Sequence, residues 1–249
     1  MQNSKKIYFA SDFHLGLPSY EASRLREDKI VRWLNSIQSD ASEIFLVGDI
    51  FDFWFEYASV VPKGFVRLQG AIAALTDAGI KVHFFKGNHD MWMFNYFQKE
   101  LGIELHSEPI ERIFNGKKFL IGHGDGLGPG DYSYKFLKQI FTSKVCQWLF
   151  ARIHPNFGVG LAHAWSQRSR VVHDKKEKFL GEENEWLAIY AKEQLEKTQF
   201  DYFIFGHRHL PLNIDLTNES KYVNLGEWIH ACTYACFDGQ VLSLLTFQD

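Results

Sequence analysis

An α/β fold with a parallel sheet and a helical insertion is predicted by three features of the sequence. Short apolar runs alternate with helix-period segments through the first half. Each run ends in a polar cluster, usually with a glycine. A basic, aromatic-rich stretch from residue 131 to about 197 interrupts this pattern. Residues 1–249 read as a single domain carrying that insertion, a length that buries a substantial core.

The elements follow in order. Ile7 to Ala10, Ile44 to Val47 and Val82 to Phe85 are brief and almost wholly apolar, as buried parallel strands are. Between them, Glu21 to Ile37 and Gly64 to Ala78 carry helix-period apolar positions, Leu25, Ile30, Leu34 and Ile37 in the first. Strand and helix alternating at this spacing predict βαβ units. Phe119 to Ile121 and Tyr202 to Phe205 read as further core strands. A β-rich end follows at Tyr222 to Leu225, Ala231 to Phe237 and Val241 to Phe247, with Asp238-Gly239 as a hairpin turn. Within the insertion, Tyr134, Leu137, Phe141, Val145, Trp148 and Leu149 fall on one face of a helix. Pro155, Gly158 and Gly160 break it, and a second helix ends near Lys175, Lys176 and Lys178.

Composition excludes several classes. Hydrophobic content of 46% and charged content of 23% suit a globular protein. Cys146, Cys232 and Cys236 form neither a disulfide framework nor a Cys-x-x-Cys zinc site, and a cytosolic setting is expected. The first apolar run is too short for a signal peptide, and no stretch reaches the roughly 18 apolar residues of a membrane span. The net charge of −3 hides an asymmetry: Tyr132 to Leu180 holds nine Lys/Arg against two Asp/Glu, leaving 18 against 28 elsewhere. A basic segment on an acidic body suits an anionic partner, or simply a solvated helical face. Its basic residues form no recognised nucleic-acid motif, so no nucleic-acid partner is expected. Walker, dinucleotide and nucleophile-elbow signatures are absent as well.

The polar clusters carry the chemistry. They are Asp12-x-His14, Gly48-Asp49-x-x-Asp52, Gly87-Asn88-His89-Asp90, Gly122-His123-Gly124-Asp125 and Gly206-His207-x-His209. Ligands of open α/β sheets gather beyond the carboxyl ends of the strands, so five strand ends would bring these clusters together. Singly, each is an ordinary polar turn. Five in succession, each after an apolar run, point to one site. Carboxylate, amide and imidazole donors suit hard to borderline divalent cations.

With these motifs in order, the chain resembles the calcineurin-like metallophosphoesterases, whose pattern is D-x-H, G-D-x-x-D, G-N-H-[DE], G-H and G-H-x-H. The resemblance implies a four-layer α/β/β/α sandwich with a helical lid. It implies two divalent ions, Mn²⁺ foremost, with Fe, Zn or Co compatible. One would be held by Asp12, His14, Asp49 and His209, the other by Asp49, Asn88, His123 and His207. His89 would face the phosphoryl group, oriented by Asp90, while Asp52 would brace the site.

The region from His123 through Asp131, Tyr134-x-Phe136, Trp148 to Phe150 and Leu161 to Ser169 is similar to the UDP-2,3-diacylglucosamine pyrophosphohydrolases of lipid A synthesis. So is Gly48-Asp49-Ile50-Phe51-Asp52-Phe53-Trp54. That likeness implies a UDP-linked acylated sugar as substrate, cleaved to UMP and diacylglucosamine 1-phosphate, with the enzyme peripheral on the inner membrane. It implies substrate contacts at Asp131, Ser169 and Lys176. Phe136, Ile140, Phe141, Trp148, Phe150 and Trp165 offer apolar surface for acyl chains, or else pack the insertion onto the body; Arg168, Arg170 and Lys176 offer cations. Two departures bear on the substrate: His89 stands where those enzymes have Arg, which clamps phosphate bidentately, and His173 where they have Asn. Another phosphodiester or phosphomonoester, such as a cyclic nucleotide, is the alternative, and a catalytically silent scaffold a further one. The sequence sets no oligomeric state.

Overall fold

The computed structural model describes residues 5–130, 132–162, 166, 178–179 and 181–248. Asp131, Ser169, His173 and Lys176, together with Trp165, Arg168 and Arg170, lie outside the described residues. Six strands form the first sheet: β1 (Lys6–Ala10), β2 (Ala41–Val47), β3 (Lys81–Phe85), β4 (Glu104–His106), β10 (Thr233–Phe237) and β11 (Leu242–Thr246), in the order β11-β10-β1-β2-β3-β4. Strands β1 to β4 are parallel, and β10 and β11 add antiparallel on the far side of β1. The second sheet has the order β5-β6-β7-β9-β8, from β5 (Ile110–Phe114), β6 (Lys117–Gly122), β7 (Tyr202–Phe205), β8 (Pro211–Asp215) and β9 (Lys221–Leu225).

Strand alternation explains the layers. Ile7 and Phe9 point inward with Phe45, Val47 and Phe85 to meet Phe119, Ile121 and Ile204 of the second sheet, and Phe9 stacks on Phe119 at 6.1 Å between ring centroids. Tyr8, Ala10, Ile44 and Leu46 point the other way, as a period of two requires. That outer face is covered by α1 (Tyr20–Ile37), α2 (Val66–Asp77) and α3 (Tyr96–Leu101). Ser19 caps α1 by accepting from the Ala22 amide. Buried Ile30, Trp33, Leu34 and Ile37 recur at helical spacing, but Leu25, expected on that stripe, is 72% exposed. The inward position there belongs to Arg26, whose guanidinium donates to the carbonyls of His14 and Leu17.

The insertion begins with α4 (Tyr132–Thr142) and α5 (Lys144–Phe150). The single helix expected across them is two, parted at Ser143, whose backbone is extended. A further helix, α6, covers residues 155–162 and starts at Pro155, where a missing amide costs nothing. At the expected end of that second helix, Lys175 and Lys176 lie outside the described residues, and Lys178 sits in a bend. Helix α7 (Trp186–Leu195) was expected within the same insertion. It lays Leu187, Ala188 and Ala191 on Leu120, Phe203 and Phe205 of the second sheet and so completes the four-layer α/β/β/α sandwich. Among the described residues, no helix is long and apolar enough to cross a membrane.

Candidate metal centre

Strands β1, β2 and β3 of one sheet and β6 and β7 of the other deliver the five polar clusters to a common edge. Asp12, His14, Asp49 and His209 converge there, as do Asp49, His123 and His207, with ligand atoms in each group within 4.8 Å of one another. Asn88 joins the second group, its Oδ1 lying 3.3 Å from His123 Nε2. All seven expected ligands therefore meet, and Asp49 belongs to both groups.

The backbone bends sharply to achieve this. Asp12, His14, Asp49, His207 and His209 all have φ between 45° and 68°, a left-handed conformation that costs most side chains about 1 kcal/mol or more. Backbone bonds hold the bends: the Asp12 amide donates to Gly48 O and the His14 amide to Asp49 O. Gly87 is required by close approach, since a Cβ there would lie 2.1 Å from Asp49 Oδ1.

The donor set fits divalent cations. Asp12 Oδ1 is buried without a hydrogen bond, and it lies 3.3 Å from His209 Nε2 and 3.7 Å from His14 Nε2. The His14 and His209 Nε2 atoms face each other at 3.0 Å. Burial pushes the His14 and His207 imidazoles down to about 4, keeping them neutral as ligands must be. Burial also opposes charge on His123, yet Asp49, Asp12 and Asp125 together carry it up to about 10. Against strong desolvation, the neighbouring histidines, His14 and His209 foremost for Asp12 and His123 and His89 for Asp49, hold both carboxyls well below the usual range. The cluster thus demands positive charge, which cations meet.

His89 and Asp90 part company in space. The His89 ring is held by Asp52, with Nδ1 3.1 Å from its backbone carbonyl and 3.4 Å from its carboxylate. Asp90, expected to orient His89, instead accepts from the amides of Gly87 and Ile50 at 2.8 Å and Phe51 at 3.3 Å. Neighbouring residues in a tight turn point apart, so Asp90 ties the β2 and β3 loops together. Desolvation, then Asp49, raises its carboxyl to about 7.

Ser166 and Glu185 escaped sequence reading, and Asp125, named there within a polar cluster, was given no role of its own. Ser166, between β6 and β7 in the chain, donates from Oγ to Asp52 Oδ1 at 2.9 Å and lies 3.5 Å from His89 Nδ1. Asp125 anchors α4, accepting from the Tyr134 hydroxyl and pairing with Lys138 at 2.7 Å. Glu185 pairs with Arg208 at 3.0 Å, both buried, between the ligands His207 and His209. No local sequence signal marks Ser166 or Glu185; for Asp125, the i, i+4 pair Tyr134 and Lys138 was a usable clue.

A sequence model of the calcineurin-like phosphoesterases matches residues 5–211. The UDP-2,3-diacylglucosamine hydrolase of Porphyromonas gingivalis is 40% identical over 258 residues, covering 98% of each chain. Its namesakes in Histophilus somni and Aliivibrio fischeri are each 28% identical, over 82% and 96% of this chain and 84% and 97% of their own. The chain belongs to the calcineurin-like phosphoesterase family and is a metal-dependent phosphoester hydrolase.

Proposed function

We propose that the protein hydrolyses the pyrophosphate of UDP-2,3-diacylglucosamine to UMP and 2,3-diacylglucosamine 1-phosphate. The observation that carries this reading is the 40% identity, over 98% of both chains, with a relative named for that substrate. The likeness runs through the helical insertion as well as the core. Asp12, His14, Asp49 and His209 would hold one ion; Asp49, Asn88, His123 and His207 would hold the other, Mn²⁺ being the first choice for both. When bound, such a pair supplies Lewis acidity toward phosphoryl oxygens and lowers the pKa of a water.

The chain's own groups then divide the work. Asp49 lies between the two ligand groups and also accepts the His89 amide at Oδ1. With its Nδ1 edge facing Asp52, His89 has its Nε2 edge left for a phosphoryl oxygen, and a proton for the departing phosphate would come from there. Ser166 braces that arrangement from the insertion side. The acyl-binding residues expected from the sequence divide in two: Phe141 and Phe150 pack onto Trp92 and Phe55, as packing residues do. Phe136, Ile140 and Trp148 remain 36% to 66% exposed and, with the exposed Phe157 and Leu161 of α6, which the sequence reading did not single out for that role, would serve as a lid for acyl chains or as contacts with an anionic membrane surface. Asp131, Ser169 and Lys176 are retained as substrate contacts on family likeness alone. We place the reaction at the cytoplasmic face of the inner membrane.

Purified protein with Mn²⁺ should release UMP from UDP-2,3-diacylglucosamine. The presence of His89 where an Arg is usual favours, as a second reading, a different phosphoester. Turnover of a generic diester with no UMP at high enzyme would select that reading over the first.

A further inference from the structure

A second cluster of metal-type donors lies at the edge of the first sheet, apart from the phosphoesterase cleft. His83 of β3 and Glu104 of β4 are register partners across a parallel pair, and His106 follows Glu104 by two residues, on the same face. Their donor atoms meet: His83 Nδ1 is 3.1 Å from His106 Nε2 and 3.3 Å from Glu104 Oε2, and the last two are 4.0 Å apart. Donors at about 2.0–2.2 Å from a tetrahedral zinc stand about 3.3–3.5 Å from one another. The three separations bracket that edge length.

The surroundings orient the donors. His83 is 1% exposed and stacks face to face on Phe45 at 4.2 Å, which fixes its ring plane. Its other nitrogen, Nε2, lies 3.2 Å from Glu43 Oε2. A carboxylate can only accept, so Nε2 carries the proton and Nδ1 offers a lone pair to His106 and Glu104. This is the carboxylate–histidine–metal relay by which a second carboxylate sets the tautomer of a ligand histidine. Burial, chiefly, pushes His106 down to about 4, leaving it neutral. A single proton shared between the two rings would satisfy the histidines but would not engage Glu104, which among the described residues also lies 3.7 Å from Arg112. A divalent cation satisfies all three donors at once.

We propose that His83 Nδ1, His106 Nε2 and Glu104 Oε2 form a zinc site, oriented by Glu43, that clips edge strand β4 to β3. The clip would secure the chain just before residues 107–109 cross from the first sheet to β5 in the second. The site is independent of the phosphoesterase ligands, so it is tested in the full-length protein with Asp49→Asn, which disables the shared ligand of the other centre. Zinc affinity is read by competition with a chromophoric chelator, stoichiometry by elemental analysis, and stability by thermal unfolding with and without Zn²⁺. Asp49→Asn protein should keep one zinc per chain and a zinc-dependent rise in Tm. Adding Glu104→Gln or His106→Ala should abolish both, and adding Glu43→Gln should weaken affinity by about 10- to 100-fold. In the wild-type background Glu104→Gln, a half-exposed position, should leave phosphoesterase turnover unchanged. Zinc stoichiometry and affinity unaltered by Glu104→Gln and by His106→Ala, with both variants folded, would overturn the proposal.

Discussion

His123 Nδ1 donates a hydrogen bond of 2.8 Å to the backbone carbonyl of Val47, joining the end of β6 in one sheet to the end of β2 in the other. The carbonyl accepts only, so Nδ1 keeps its proton and Nε2 is turned toward Asp49 Oδ2 at 3.4 Å and Asn88 Oδ1 at 3.3 Å. A cation at that point replaces the Nε2 proton that Asp49 otherwise holds on the ring. The two sheets thus meet at the shared ligand, and the sandwich itself sets the geometry of the centre.

Asp49→Asn tests that sharing directly. Asn keeps an Oδ1 acceptor for the His89 amide but removes the charge common to both ligand groups. Activity on a generic diester should fall about a thousandfold, equivalent to about 4 kcal/mol of transition-state stabilisation. Elemental analysis should show loss of metal from the centre. Wild-type metal content at the centre would rule out Asp49 as the bridge.

Glu185 supports the centre from outside it. Its carboxylate holds Arg208 at 3.0 Å with side-chain exposures of 1% and 6%, and the guanidinium stacks over Trp186 at 4.2 Å. Glu185→Ala removes the carboxylate paired with the buried Arg208 charge between His207 and His209, and breaking a buried pair costs about 3–5 kcal/mol. For a chain of this size that is a fall in Tm of roughly 6–20 °C. Calorimetry should show it, together with weaker Mn²⁺ binding. A Tm within about 2 °C of wild type would mean that the Arg208 charge does not depend on Glu185.

The legible parts of the molecule were those encoded locally. β1, β2, β3, β6, β7 and β9 are short apolar runs buried on both faces, so their composition alone marked them, and the ligand clusters follow because each begins where such a run stops. Other elements lacked that signal. β8 is an edge strand whose first residue is Pro211, with only Leu212 and Ile214 facing inward from a polar run. β10 starts at Thr233, two residues later than the apolar pattern suggests, because the Glu227 carboxylate gathers the amides of Ile229, His230 and Ala231 into a turn. Helix α7 shares its period with the insertion, and only its packing on Phe203 and Phe205 distinguishes it. Ser166 reaches Asp52 across 114 residues, a distance that local pattern does not span. Asp90 misled for another reason: the family resemblance implied a contact with His89, but in the tight turn its carboxylate is taken by the amides of Gly87, Ile50 and Phe51.

The insertion is docked by aromatic contacts that can be removed without touching the cleft. Phe150 lies 4.6 Å from Trp92 and 4.8 Å from Phe55 between ring centroids, and Trp92 Nε1 donates to the Phe141 carbonyl. Phe150→Ala forfeits about 3 kcal/mol of packing. If the insertion positions the acyl chains, kcat/KM for the diacylated substrate should fall about a hundredfold. Hydrolysis of a small generic diester should stay within about twofold, since none of its ligands is disturbed. Equal losses on both substrates would mean that the insertion supports the metal centre and not the lipid.

Trp148 and Leu149 test the proposed membrane contact. Both are more than half exposed on α5 beside Val145, and Arg152 lies 4.8 Å over the Trp148 ring, pairing a cation with an apolar surface as interfacial segments do. Moving a Trp and a Leu from water to a lipid interface is worth roughly 3 kcal/mol or more. Anionic headgroups add about 1 kcal/mol for each nearby Lys or Arg. The Trp148→Glu, Leu149→Glu double variant should therefore bind vesicles of phosphatidylethanolamine and phosphatidylglycerol about a hundredfold more weakly, as measured by co-sedimentation. Residual wild-type binding should weaken as salt rises, because surface charges are screened within about 10 Å at 0.1 M ionic strength. A double variant that pellets with vesicles as well as wild type would remove α5 from the membrane and leave its apolar face to the substrate.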